Sequence, residues 1–412
     1  MIDDAQASTS IWMATASTPS QSRLRENIRT DVCIIGTGIA GLSTAYLLGR
    51  DGRSVVVLDD GLIGGGMTGR TTAHLSNAYD DRYVEIEKMH GEEAARLTAE
   101  SHTAAIQKIS EIVSSEKIDC DFEWLDGFLF ASTPDEVDLL DDELAAAHRA
   151  GLTDVEKVAR APLASFDTGV ALRFPRQAQF HPLNYMDGLA QAIKRDGGRL
   201  FGQTHATKIQ GGSDAHVETN HGPRFPQMLE VQFRWSGQVM EPVDGLAFIG
   251  RNPLDDDNVY IATGDSGQGM THGTIAGMLL TDLIQGRKNQ WEDLYNPSRI
   301  RVKSLPEYAS ENINVARQYA DYVTAGDITS ESELKPGEGA IMRDGVSKVA
   351  VHRDHNGNVH KLSAVCPHLG CIVAWNSTEQ TWDCPCHGSR FSAEGRVYQG
   401  PANSNLPSAN ES

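Results

Sequence analysis

The chain has 412 residues, 40% hydrophobic and 22% charged, with a formal net charge of −20. That length predicts two or three domains of ordinary globular composition. The acidic balance argues against a nucleic-acid partner or an anionic membrane surface, since both call for positive surface. No run approaches the roughly 18 apolar residues of a membrane-spanning helix, so no integral membrane segment is expected.

Residues 1–30 read as an N-terminal arm that packs on the first domain. They lack the basic and then apolar pattern of a signal peptide. Only Cys33 and Cys120 lie outside a C-terminal cysteine cluster, which fits a reducing cytoplasm. Asp31–Ile35 is a short apolar run with Cys33 as a small core residue. Gly36-Thr-Gly38-Ile-Ala-Gly41 follows, then a helix over Leu42–Arg50 and a strand over Arg53–Leu58 that ends in Asp59. This order gives a G-x-G-x-x-G its meaning. Gly36 permits the tight turn, Gly38 lets backbone approach a pyrophosphate, and Gly41 permits close helix–strand packing. The helix N-terminus faces the anion, and Asp59 accepts bonds from ribose hydroxyls.

The glycine- and threonine-rich stretch Gly61–His74 suits a loop wrapped over a large cofactor, with Thr68, Arg70 and Thr71 as its contacts; a plain surface loop is the alternative. Helical periodicity runs over Arg82–Lys117, Pro134–Ala150 and Tyr185–Arg195. Strands are expected at Phe122–Ser132 and Leu200–Ile209. Between Gly211 and Pro226 turn signals dominate, and a strand returns at Leu229–Trp235. Val259–Ala262 is a strand leading into a second glycine-rich junction, Thr263–Gly273, and then a helix over Thr274–Ile284. The junction can aim backbone N–H groups at a negative cofactor locus from Gly264, Asp265, Gly267, Gly269, Met270 and Thr271. The polar stretch from Leu294, with a helix at Pro306–Tyr322, reads as an interdomain connection. From Glu333 the texture changes to short strands, with a hairpin marked by Asn356-Gly357.

That last module carries Cys366-Pro-His368-Leu-Gly-Cys371 and Cys384-Pro-Cys386-His387-Gly-Ser389. Two thiolates and two imidazoles suit a mixed-ligand iron–sulfur centre, with sulfur on one iron and nitrogen on the other. A structural zinc site accepts the same donors.

Residues 30–300 resemble the FAD-dependent oxidoreductases of the D-amino-acid oxidase and glycine oxidase type. The resemblance rests on Gly36-x-Gly38-x-x-Gly41, the Thr68-Gly-Arg-Thr-Thr loop, Trp235-Ser-Gly with Pro242-x-Asp-Gly-Leu, and Gly264-x-x-Gly-x-Gly269. Residues 333–405 resemble the Rieske [2Fe–2S] domain. The fold implied is an α/β Rossmann-like FAD-binding domain with a truncated α+β substrate domain, plus a C-terminal all-β Rieske domain. The boundaries are an arm at 1–30, the oxidoreductase at 31–300, a linker at 301–332, the Rieske domain at 333–405 and a tail at 406–412. Against the family, on the order of 90 residues are missing near position 222.

The resemblance implies FAD and a [2Fe–2S] cluster held by Cys366, His368, Cys384 and His387. It also implies a Cys371–Cys386 disulfide and a Ser389 hydroxyl bonded to a bridging sulfide. Phe391 stands where the high-potential branch has a tyrosine. The expected potential therefore lies below that branch's high end, within roughly −150 to +300 mV. The implied activity is oxidation of an amine or amino acid by hydride transfer to flavin. Electrons then pass singly to the cluster and on to an acceptor protein or quinone. No general base is evident; His272, His181 and His74 are the pocket candidates, each with a structural reading beside it. Two other readings stay open. One is a reductase feeding an oxygenase; the other is a Rieske electron carrier with a non-catalytic flavin half.

Overall fold

The computed structural model describes residues 9–16, 21–131, 137–164, 167–221, 240, 242–299, 322, 324–345 and 347–409. The strand expected at Leu229–Trp235, and the helix expected over 306–322 apart from Tyr322, lie outside them. The described residues form two compact units, one drawn from residues 11–299 and one from 9–10 and 322–409.

The first unit opens with the short helix α1 (Ile11–Thr15), then β1 (Val32–Ile35), α2 (Ile39–Arg50) and β2 (Val55–Leu58). β1 and β2 pair in parallel, and the crossover helix α2 packs back on them. Further on come β3 (His74–Leu75), α3 (Arg82–His90), α4 (Glu92–Glu116), β4 (Glu123–Phe130), α5 (Val137–Arg149), β5 (Glu156–Val158) and β6 (Ala171–Gln179). β6 pairs antiparallel with β3, β4 and β5, giving a second sheet that follows the mononucleotide unit. α6 (Pro182–Arg195) returns the chain to β7 (Arg199–Phe201), which joins the first sheet in the order β1-β2-β7.

Cys33, expected in the core, is exposed. The reason is topological. In a doubly wound sheet the first strand is flanked on both sides. Among the described residues β1 is an edge, and Ile35 beside it is 44% exposed.

β8 (Thr204–Gln210) and β9 (His216–His221) form a two-stranded hairpin. The sequence of β9 is His-Val-Glu-Thr-Asn-His, too polar to show hydrophobic alternation, so turn signals masked it. β10 (Phe248–Arg251) and β11 (Tyr260–Thr263) form another hairpin that leads into α7 (Gly269–Ile284) and α8 (Glu292–Tyr295). α7 begins one turn earlier than its sequence suggests, so Gly269, Met270 and Thr271 lie in its first turn. It crosses α2 so closely that a Cβ on Gly273 would meet Ile39 at 2.5 Å, and one on Gly277 would meet Ser43 at 2.6 Å. Both glycines are thus fixed by helix–helix approach.

The second unit holds two antiparallel sheets. β12 (Gly339–Asp344), β13 (Ser347–Arg353) and β14 (Val359–Ser363) form the first. The expected hairpin at Asn356-Gly357 joins β13 to β14, with Gly357 at φ +89°. β15 (Ala374–Asn376), β16 (Thr381–Asp383), β17 (Arg390–Ser392) and β18 (Val397–Gln399) form the second. His352 of β13 stacks on Trp375 of β15 with ring centroids 4.8 Å apart, tying one sheet to the other. Residues 324–328 are stitched to the first sheet. Lys348 Nζ donates to the Ala325 carbonyl at 2.7 Å, and Ile341 N–H donates to Asp327 at 2.9 Å. Among the described residues no helix is long and apolar enough to cross a membrane.

Candidate cofactor and cluster sites

The nucleotide turn is built from backbone. Gly36 takes φ +102°, and its N–H donates to the Leu58 carbonyl at 2.8 Å, locking the turn to β2. A Cβ on Gly41 would lie 2.0 Å from the Gly36 carbonyl oxygen, so this position admits only glycine. Helix α2 has Gly38 as its N-cap, which brings no side chain of its own to the first turn, and the helix N-terminus suits an anion. Asp59, at the tip of β2, accepts from Thr37 N–H and Oγ1, both at 2.6 Å, and from Gly61 N–H at 2.7 Å. The carboxylate is pinned, with lone pairs left for a ribose. The 61–74 loop does lie over the turn: Gly64 N–H donates to the Thr37 carbonyl at 3.2 Å, and Thr68 Oγ1 accepts from Ile39 N–H at 3.2 Å. Thr71 and Arg70 follow in the same loop, where the Thr71 carbonyl accepts from Trp12 Nε1 of α1 at 2.8 Å. These residues fit a dinucleotide such as FAD.

The second glycine-rich junction lies at the start of α7. Gly264 and Gly267 take φ +73° and +76°. A Cβ on Gly267 would fall 2.3 Å from Asp80, and Ser266 Oγ donates to Asp81 at 3.0 Å. Burial raises the carboxyls of both Asp80 and Asp81, and Asp81 raises Asp80 further. Burial likewise pushes Asp265 up to about 6. Sequence reasoning missed Asp80 and Asp81, which follow the cofactor loop with no motif of their own.

The three candidate histidines are not brought together. His181 caps α6, with Nδ1 accepting from Asn184 N–H at 3.3 Å. Its Nε2–H therefore donates to Thr15 Oγ1 at 2.8 Å, and Thr15 donates in turn to the Ile11 carbonyl at 2.6 Å. Both ring nitrogens are consumed in holding α1 to α6. His74 lies exposed on β3. His272 is buried in the first turn of α7, where its Nδ1–H donates to the Asp265 carbonyl at 2.8 Å. Its Nε2 is then a bare acceptor without a partner. Burial lowers its pKa to about 4.

Beside it stands His102, which sequence reasoning also missed. It is fully buried on α4, with ring centroids 4.7 Å from His272 and 5.2 Å from Tyr79. Burial and then His272 hold it well below the usual imidazole range. The signal was its place on the buried stripe of α4, with Ala95, Ala99, Ala105, Ile106 and Ile109. The Pro242-x-Asp-Gly-Leu stretch is an anchor: Asp244 is paired with buried Arg299 at 2.7 Å, and Tyr79 Oη donates to the Gly245 carbonyl at 2.5 Å.

In the second unit the two Cys–His stretches form matched six-residue loops. The first, Cys366–Cys371, is closed at its base by the Val365–Ile372 bridge. The second, Cys384–Ser389, is closed by the Asp383–Arg390 register, where Arg390 donates twice to Asp383, at 3.0 and 2.9 Å. Each loop is folded by the same two backbone bonds. Cys366 N–H donates to the Cys371 carbonyl and Gly370 N–H to the Cys366 carbonyl, at 2.8 and 2.9 Å. Cys384 N–H donates to the Ser389 carbonyl and Gly388 N–H to the Cys384 carbonyl, at 2.7 and 3.0 Å. Both fifth positions need positive φ, and both are glycine, at +83° and +74°.

A Cys371–Cys386 disulfide joins the loops. Three sulfurs, those of Cys371, Cys384 and Cys386, lie within 4.8 Å of one another, but the disulfide consumes two of them. The thiols left are Cys366 and Cys384, both buried. Hydrogen bonding from Cys384, together with the His368 backbone and the Ser389 hydroxyl, pulls the Cys366 thiol down to about 6. The same neighbour, together with burial, pushes Cys384 up. Without a metal the pair shares one proton, a thiolate accepting from a thiol; a bound cation would let both ionise. His368 and His387 stand edge to face with centroids 4.9 Å apart. His368 Nδ1 is buried with no partner. A buried imidazole nitrogen without a partner, on the same loop as a buried thiol, fits a [2Fe–2S] cluster. Ser389 Oγ accepts from Ala402 N–H at 2.9 Å, and Phe391 is fully buried in the same packed core.

The FAD dependent oxidoreductase family matches residues 31–224 and 222–283, and the Rieske [2Fe-2S] domain matches residues 325–410. The chain therefore belongs to the FAD-dependent oxidoreductases and carries a Rieske [2Fe–2S] domain at its C-terminal end. Its cofactors are FAD and a [2Fe–2S] cluster, and it is an oxidoreductase. A Bacillus subtilis protein named as a putative Rieske 2Fe-2S iron–sulfur protein, YhfW, is 28% identical over 494 aligned positions, covering 96% of each chain. The gamma-glutamylputrescine oxidoreductase of Escherichia coli is 34% identical over 205 residues, 48% of this chain and 47% of its own. This chain thus spans about half of that relative. In fold the chain is similar to an L-amino acid deaminase from Proteus vulgaris, with a TM-score of 0.56 at 15% identity, over 69% of this chain and 97% of that one.

Proposed function

We propose that this protein is an amine or amino-acid dehydrogenase that passes electrons one at a time through its Rieske centre to an acceptor protein or quinone. The observation that carries the reading is the pair of matched loops. They leave one buried thiol pair and one imidazole pair for a one-electron centre, on a chain whose other half belongs to a two-electron flavin family. When bound, FAD supplies hydride acceptance and the cluster supplies single-electron acceptance. The residues do the rest. The α2 N-terminus and Asp59 hold the dinucleotide, the α7 junction presents N–H groups to its ring, and Cys366, His368, Cys384 and His387 hold the cluster. Ser389 offers it a hydrogen bond, and the Cys371–Cys386 disulfide fixes the loops. A cytoplasmic setting goes with this reading. The test is the visible spectrum of the purified protein before and after anaerobic addition of a panel of amines and amino acids. Bleaching of flavin and cluster bands by one of them is the expected result. Bleaching by NADH and by no amine would replace the reading with that of a reductase.

A second reading is favoured by the edge position of β1 among the described residues. The alignment with the Bacillus subtilis relative spans 494 positions, against 412 residues here. At least 82 positions (494 less 412) are thus filled by the relative alone. We propose that this chain is a short form that lacks a segment near residue 222. Its flavin would then be held less firmly than its cluster. A flavin-to-iron ratio that falls on gel filtration supports this; a constant ratio of one FAD to two irons would refute it.

A further inference from the structure

Each of the matched loops is also held from outside by a hydrogen bond. The second loop is held by the chain that follows it, through Ala402 N–H and Ser389 Oγ at 2.9 Å. The first is held by the chain that precedes the module. Tyr322 Oη donates to the Gly370 carbonyl at 2.5 Å. The Tyr322 ring is half-buried against the core that contains Cys366, Cys371, Cys384 and Phe391. Gly370 sits at φ +83° and its N–H is bonded to the Cys366 carbonyl, so its peptide fixes the turn that carries Cys366 and His368. Phe391 brings no hydroxyl to this core; Tyr322 does, from 48 residues upstream of Gly370.

We propose that Tyr322 is a positioning residue of the cluster. Its hydroxyl fixes the Gly370 peptide and points the positive end of its dipole at the loop, favouring the extra negative charge of the reduced centre. This rests on the reading that Cys366, His368, Cys384 and His387 hold a [2Fe–2S] cluster. Tyr322 also stands at the end of the stretch that leads from the flavin family match into the Rieske module, so that stretch terminates on a loop that holds the cluster.

The experiment compares the full chain with its Tyr322→Phe variant, which keeps the ring and removes only the donor. Iron and acid-labile sulfide, the midpoint potential and the g-values of the reduced cluster are measured on each. Iron and sulfide are expected to stay level, the potential to shift downward and the g-values to move. An unchanged or raised potential overturns the proposal. So does a loss of iron in which the remaining fraction keeps the parental potential, since that marks a merely structural contact. Tyr322→Leu, which also removes the ring, is expected to release the cluster faster on dilution; if it fails to fold, the Phe variant still decides. Failure of the underlying reading shows separately, as an unsubstituted protein without two irons and two sulfides.

Discussion

The two halves of this molecule hold their sites in opposite ways. The cluster site is a closed cage. Two loops of the same length and bonding pattern face each other, joined by a disulfide and backed by a core that includes Trp382 and Phe391. The flavin site is an open platform. A glycine turn, the start of helix α2 and a pinned carboxylate line one end of a sheet whose first strand is an edge among the described residues. The cage prearranges two buried thiols that share a proton and two imidazoles beside them. The platform prearranges backbone dipoles, which need no counterion to stay in place. Loss of a single donor should therefore be far more damaging in the cage than in the platform.

Cys384→Ser offers the largest test of that contrast. It leaves one buried thiol for an iron that needs two sulfur ligands. The variant is expected to lose essentially all iron and acid-labile sulfide while the flavin half keeps its thermal transition. Retention of a single metal without sulfide would instead point to zinc.

The next effect lies under the platform. His102 and His272 are buried neutral, so the unfolded chain takes up protons that the folded one refuses as pH falls below 6.5. With His272 lowered to about 4, stability is expected to fall by about 3 kcal/mol between pH 6.5 and 4 from this group alone. His102 adds in the same direction. Asp265 acts in the opposite direction, because its carboxyl is raised to about 6 and its contribution is lost as pH rises from 3.8 towards 6. His272→Leu isolates the histidine. Denaturant unfolding at a series of pH values should give a flatter acid limb than the parent; an identical limb would remove His272 from the account.

Gly41→Ala is a smaller change aimed at the platform. With 2.0 Å between the new Cβ and the Gly36 carbonyl, either helix α2 or the turn must move, at a cost of about 1–3 kcal/mol. Flavin content should drop while iron content stays at the parental level. Equal loss of both would mean that the two sites are not independent, and the contrast drawn above would fail.

What was legible in the sequence follows the same division. The candidate cluster donors lie between Cys366 and His387, and the candidate nucleotide turn between Gly36 and Gly41, so short-range spacing was enough to propose both. Groups that meet across the chain left no such trace. His102 and His272 come from helices α4 and α7, and Tyr322 reaches Gly370 across 48 residues. His181 stood in the sequence as a pocket candidate with a structural reading beside it, and only the fold reveals Asn184 and Thr15 taking both its nitrogens. Cys33 looked buried because an apolar first strand is normally interior, and here it borders an edge.

The smallest predicted effect is a shift in potential, and it tests how completely the cage is closed. Phe391 is fully buried on β17, opposite Trp382 and in one packed cluster with Cys366 and Cys384. A Phe391→Tyr hydroxyl would enter a fully buried site, so it must find an acceptor or cost about 1–3 kcal/mol. Where the acceptor is a cluster-bound sulfur, the new bond draws charge off it and stabilises the reduced state. The midpoint potential is then expected to rise with no loss of denaturant stability. A drop in stability with an unchanged potential would mean that the hydroxyl has no sulfur to reach. In that case a potential below the high end of the Rieske range cannot be assigned to this phenylalanine, and the hydroxyls left to act on the cluster and its loops are those of Ser389 and Tyr322.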